Sequence, residues 1–235
     1  SISLEATDGT FESTATADAG TFYDLFAGLN ATIGGAVTAT LGSIDIETNL
    51  QDALINAALD AGTTIKIDAG RDIVSDVNGT LTGPDGVTLT AGGDIDLAAF
   101  AVAATGDVTL LANEDVTTDA AATLDGENVF VTGTTGNVTL AGDLTATVGN
   151  VEVVSGLDMD VTADTLAEVD ATFTAGRDMT LAGDVTTTTG LIDAAALRDL
   201  TQTGVLDAAT SISLEATDGT FESTATADAG TFYDL

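Results

Sequence analysis

Residues 1–25, SISLEATDGTFESTATADAGTFYDL, recur letter for letter as residues 211–235. The period is therefore 210 residues, and a perfect match of that length makes the chain read as a window on a longer tandem array. On this reading residues 1–210 hold one full repeat and residues 211–235 begin the next. Any fold for such a chain has to carry an element out of the end of one repeat and into the start of an identical one.

A shorter period lies beneath the long one. Apolar pairs in alternation run Ile2/Leu4, Tyr23/Leu25, Ile44/Ile46, Ile65/Ile67, Val87/Leu89, Val108/Leu110, Val129/Val131 and Val151/Val153, pass less clearly through Phe173 and Ile192, and return at Ile212/Leu214. The step is 21 or 22 where it is clear. About nine residues later a second series follows through Phe11, Ile33, Leu54, Ile73, Ile95, Val116, Val138, Met159, Met179, Leu200 and Phe221. A weaker third runs through Val37, Leu59, Leu81, Val102, Leu124, Leu144, Leu166 and Leu206.

Three short alternating segments per step of about 21 residues, parted by Gly-Asp, Gly-Asn or Asp-Gly corners, cannot each bury an apolar face alone. Stacked, they can. The expected fold is all-β: a parallel β-helix, or β-solenoid, with three short strands per coil and ten coils per 210-residue repeat. Alternation directs Val, Ile and Leu inward and Thr, Asp and Ser outward, and right-handed crossovers are the default. A narrow lumen also accounts for an aromatic content of only 4% beside 44% hydrophobic residues. Two Ala/Leu-rich stretches, 47–62 and 190–200, argue locally for helix. Their apolar residues fall near the coil register, so strand or irregular coil is preferred, with a short helix bulging from the solenoid as the alternative.

Composition narrows function. The chain has no His and no Cys, which removes nucleophile–His pairs, zinc fingers and disulfide scaffolds. Asp and Glu total 38 against 4 basic residues, giving a net charge of -34. With only Lys66, Arg71, Arg177 and Arg198 to meet phosphate, nucleic acid is not an expected partner. No apolar run approaches the roughly 18 residues of a membrane helix, and no basic-then-apolar leader opens the chain. The expectation is a soluble internal piece of something larger, without membrane insertion. The acidity fits a solvated surface suited to salty or extracellular surroundings.

The segments IKIDAGRDI (65–73), GVTLTAGGDIDL (86–97) and FTAGRDMTLAGDV (173–185) resemble the repeats of filamentous-haemagglutinin-type exoproteins, the large bacterial β-helical adhesins. The resemblance implies a right-handed parallel β-helix secreted to the cell surface, acting in adhesion, biofilm or contact with other cells. A surface-layer or fibre protein of another lineage is the alternative. Strict 210-residue repetition and extreme acidity depart from the family's pattern.

The clearest polar feature is a column at the corner before the second strand: Asp72, Asp94, Asp115, Asn137, Asp178 and Asp199. Stacked carboxylates about 4.8 Å apart repel by roughly 1 kcal/mol in water and about 3–4 kcal/mol at an effective dielectric of 20. Something has to offset this. Each Asp could accept N–H groups of its own turn, with solvent and salt screening the rest. Alternatively Asp72, Asp94, Asp115, Asp178 and Asp199 form a ladder for Ca²⁺, which takes several oxygen ligands in flexible geometry. Calcium is the one cofactor considered. Arg71, Arg177 and Arg198 each precede a column Asp and read as local charge relief.

Other features weigh less. The pairs Asp94/Asp96 and Asp158/Asp160 match glycosidase carboxylates only in type, since spacing by two on a strand merely puts both on one face. β-Helical polysaccharide lyases and pectinases share the expected fold, but the basic sugar-holding residues and long loops of such enzymes are not visible. Thr-rich stretches such as LTATVG (144–149) and VTTTTG (185–190) resemble ice-binding ranks, broken here by Ala101, Ala103 and Asp207. Asn30, Asn78 and Asn137 open glycosylation sequons. The expected function is thus non-enzymatic: a structural repeat of a long extracellular fibre or cell-surface adhesin, a stiff acidic rod or spacer. Its expected partners are identical repeats end to end, with other fibres or cell surfaces beyond them. A calcium-, glycan- or ice-binding module of a surface adhesin is the alternative, and a polysaccharide-active enzyme is a more distant one.

Overall fold

The computed structural model describes residues 1–234, and every regular element in them is a β-strand. The strands form three parallel sheets of 12, 11 and 11 strands, and each sheet takes every third strand of the chain in order. The result is a β-solenoid of about 11 coils. Strands of the first sheet have mostly five or six residues, as in Ile2–Ala6 and Thr64–Ala69. Those of the second and third have two or three, as in Phe11–Ser13 and Leu81–Thr82. Coils are numbered here from their first-sheet strands, so that coil 1 begins at Ile2, coil 5 at Val87 and coil 11 at Ile212.

The apolar alternation dictates register. Ile2 pairs with Tyr23, Tyr23 with Ile44, Ile44 with Ile65 and Ile65 with Val87, so the first apolar series is one continuous file facing the lumen. Burial alternates along each strand: Ile44–Thr48 is buried at Ile44, Ile46 and Thr48 and open at Glu47. Because a shift of one residue would expose the whole apolar set of a strand, the lumen holds every coil in step. Large and small residues interleave along the axis. Phe173 stacks between Val153 and Ala194, and Phe11 lies over Ala31.

The second and third series need correction at four coils. Ala31 and Ala53, not Ile33 and Leu54, continue the file from Phe11. Ile33 is inward but two residues further along its strand, and Leu54 points outward. In the third sheet Ala101 and Thr165 face the lumen where Val102 and Leu166 were expected. Leu166 is left 45% exposed, and the Thr165 hydroxyl is buried with no partner. Register there follows from neighbouring coils and corner lengths, and one coil cannot reverse its phase alone.

The two Ala/Leu-rich stretches are strand. Residues 47–62 contain Ala53–Ile55 and Leu59–Ala61, and residues 190–200 contain Ile192–Ala196. Helix propensity yields because each strand has a parallel neighbour on both sides, and leaving the coil would unpair both. Leu50 and Leu197 sit on corners, 63% and 51% exposed.

Candidate functional site

The Asp column exists and is longer than expected. At the corner entering the second sheet, Asn30, Asp52, Asp72, Asp94, Asp115, Asn137, Asp158, Asp178 and Asp199 lie in one file along the rod. Asp158 fills the apparent gap. The carboxylates do not cap their own turns; from Asp72 onward each accepts the N–H of the next coil, while Asp52 is held by the Arg71 side chain instead. Asp72 Oδ1 accepts the Asp94 N–H at 3.0 Å, Asp94 Oδ1 that of Asp115 at 2.9 Å, and Asp115 Oδ1 that of Asn137 at 2.6 Å. Asn137 continues to Asp158, Asp158 to Asp178, Asp178 to Asp199, and Asp199 to Thr220. The file is an Asx ladder whose side chains lengthen the backbone ladder around the corner.

Glycine makes the reach possible. A Cβ on Gly93 would lie 2.3 Å from Asp72 Oδ1, and one on Gly149 would lie 2.0 Å from Asn128 Oδ1. The residue before each of these ladder positions is thus passed by the side chain of the preceding coil.

Three of the four basic residues discharge this file. Arg71 grips Asp52 through both Nε and Nη2, Arg177 grips Asp158 and Arg198 grips Asp178. Each therefore neutralises mainly the Asp of the preceding coil; Arg71 alone also touches the Asp it precedes, Asp72, at 3.1 Å. Hydrogen bonds from Arg177 and Arg198 hold Asp158 and Asp178 below the usual carboxylate range. For Asp199 the N–H and hydroxyl of Thr220 do the same.

Two further ladders were not anticipated from the sequence. At the corner entering the first sheet, Asn128 Nδ2 donates to Asp107, Asn128 Oδ1 accepts the Asn150 N–H, Asn150 that of Asp170, and Asp170 that of Leu191. At the corner entering the third, Asp143 accepts from Asp164, Asp164 from Asp184, and Asp184 from Val205. The signal was present: an Asx one residue before an inward strand position, recurring at the coil step. It was hidden because only the second corner repeats it through nearly every coil.

Among the described residues no three acidic side chains form a group that could hold a metal ion. Asp72, Asp94 and Asp115 are consecutive in the file, while Asn137 and Asp158 separate them from Asp178 and Asp199. Two shallow grooves open on the surface. One runs past Asp143, Asp164 and Asp184 beside Leu166, the other past Lys66, Asp85 and Asp107. The Thr rank of the third sheet is broken by Asp60, Val102, Asp125, Leu166 and Asp207. Ala101 and Ala103, expected to interrupt it, face the lumen instead. Of the sequon residues, Asn30 and Asn137 are bound into the ladder, and Asn78 is exposed on a turn beside Asp76.

The chain is a β-solenoid repeat protein with a long polar ladder at its second corner and shorter ones at the other two. No family model, no curated protein and no solved structure matches it.

Proposed function

We propose that the chain is a non-catalytic spacer: one period of a long extracellular fibre or cell-surface adhesin of the filamentous-haemagglutinin type, acting as a stiff acidic rod. The observation that carries this is how the second copy of the repeated sequence docks. Residues 211–231 continue all three sheets without a break, pairing Ile192 with Ile212, Leu200 with Phe221 and Leu206 with Ala227. Side-chain contacts cross this junction as well, among them Asp199 with Thr220 and Gln202 with Ser223. Gln202, wholly buried, donates through Nε2 to the Gly204 carbonyl at 2.6 Å, and its Oε1 accepts the hydroxyl of Ser223 in the copied segment. A buried polar side chain that has to find its partners in the next coil favours one register over its neighbours.

Mechanically, a solenoid whose coils touch only their neighbours resists bending through continuous ladders and lengthens by a fixed step per repeat. Ten coils spaced as parallel strands rise about 48 Å. Electron microscopy of chains with one, two and four repeats tests this: length should grow by that step at constant width. Particles that grow in every dimension would refute it.

A second proposal concerns calcium. Asp72, Asp94 and Asp115 stack on successive coils with the Arg71 guanidinium at one end only, so a cation held here would screen their repulsion from the open side without a closed three-carboxylate group around it. A melting temperature unchanged by chelator would remove it.

A further inference from the structure

The outward face of the first sheet changes character along the rod. In coils 1–4 it carries Glu5, Asp24, Asp45, Glu47 and Asp68, with Ser3, Lys66 and a single partly exposed aromatic, Phe26, among them. From coil 5 the same two files read Thr88, Thr109, Leu111, Phe130, Thr132 and Val154, and of the charged residues only Glu152 interrupts them before Asp193. Leu111 is 41% exposed, and Phe130 and Val154 are partly so.

We propose that this face is a lateral docking surface for a second copy of the same array. The inference rests on the tandem-rod reading. Two features select that occupant. First, the chain carries a net charge of -34, and two copies can approach without opposing carboxylates only where a face lacks them. Secondly, five coils by one five-residue strand give roughly 400 Å², about half of what each partner contributes to a stable interface. A single patch is too small, so affinity has to come from several patches engaged together. A partner that engages them all must repeat every 210 residues, as another copy of the array does.

Dimerisation should therefore depend on repeat number. In sedimentation at physiological ionic strength, one repeat should remain monomeric. Chains of two and four repeats should double in mass, with apparent affinity rising by about 10²–10⁴ for the added patches. Association should strengthen with salt, because salt screens the acidic repulsion. The double variant Leu111→Asp/Phe130→Asp, altered only at outward positions, should keep its melting temperature and remain monomeric. Thr117→Asp on the second sheet should associate as the parent does. A four-repeat chain that stays monomeric, or a double variant that still dimerises, overturns the proposal. Particle lengths from the same samples separate the two readings: single rods of the expected length overturn docking alone, whereas globular particles overturn both.

Discussion

Coils 2–5 and coils 7–10 share one backbone design and differ at their corners. In coils 7–10 all three corners carry Asx ladders, so the N–H groups of Asn150, Asp170, Leu191, Asp164, Asp184 and Val205 each gain a side-chain acceptor. In coils 2–5 only the second corner does. The first is occupied by Phe22, Ser43, Thr64 and Gly86, and the third by Ala36, Ala58, Thr80 and Phe100, with Phe22 44% and Phe100 38% exposed. Both regions hold the same coil, so the fold is set by the lumen and the strand ladders. Corner chemistry adjusts how firmly each coil is held.

The largest effect should come from opening the lumen on either side of this divide. Leu59 and Leu144 occupy equivalent third-sheet positions and are fully buried. Truncating either to Ala should cost about 2–5 kcal/mol. Urea unfolding should distinguish them: Leu59→Ala is expected to split off an early transition of the amino-terminal coils, while Leu144→Ala lowers the midpoint of a single transition. Identical behaviour would mean that the extra ladders contribute nothing to cooperativity.

A contrast within the carboxy-terminal region comes next. Thr165 and Thr187 both face the lumen of the third sheet, but the Thr187 hydroxyl donates to the Gly190 carbonyl at 3.0 Å, whereas that of Thr165 has no partner. Thr165→Val should therefore stabilise by about 1–3 kcal/mol by removing an unpaired buried hydroxyl. Thr187→Val should destabilise. Equal shifts in the thermal midpoint would count against the assignment.

Thr165 also marks where sequence ceases to be legible. The coil step, three strands per coil and the first apolar file were readable because Ile, Val and Leu recur there with little interruption. At coil 8 the larger residue, Leu166, stands on the outside, and a reading by hydrophobicity selects it. The true register is imposed by strands above and below. The site was legible where Asp repeated through nearly every coil. The partner of each Asp was not, because a contact to the next coil is non-local and the file taken alone could equally have capped its own turns. The shorter ladders at Asp107–Leu191 and Asp143–Val205 offered too few repeats to stand out among 38 acidic residues.

Moving the ladder itself should have a smaller effect. Asp164→Ala removes the acceptor of the Asp184 N–H and should cost about 0.5–1.5 kcal/mol. Conversely, Ala36→Asn with Ala58→Asn places two successive ladder residues at the bare third corner. Hydrogen exchange should slow at residues 58 and 80, and the two halves should converge in protection. Unchanged exchange would show that corner geometry, and not the missing acceptor, sets the difference.

The smallest effect, and the one that tests the comparison without mutation, is pH. In the amino-terminal coils, burial raises Asp45 and Asp96 above the usual carboxylate range; Lys66 partly counters this for Asp45, while neighbouring acids add to it for both. In the carboxy-terminal coils, Asp158, Asp178 and Asp199 lie below that range. The signs are opposite. A raised folded pKa means that the native state binds protons before the unfolded chain does, so coils 3 and 5 should gain stability as pH falls through the folded values of Asp45 and Asp96. A depressed folded pKa gives stability that is complete above the unfolded value, so coils 8–10 should hold until pH falls through the usual carboxylate range and lose stability below it. Hydrogen exchange followed by mass spectrometry along an acid series should show protection rising first near Asp45 and Asp96, then falling near Asp158, Asp178 and Asp199. Parallel loss in both regions would mean that general charge repulsion, and not these local partners, governs the response to acid.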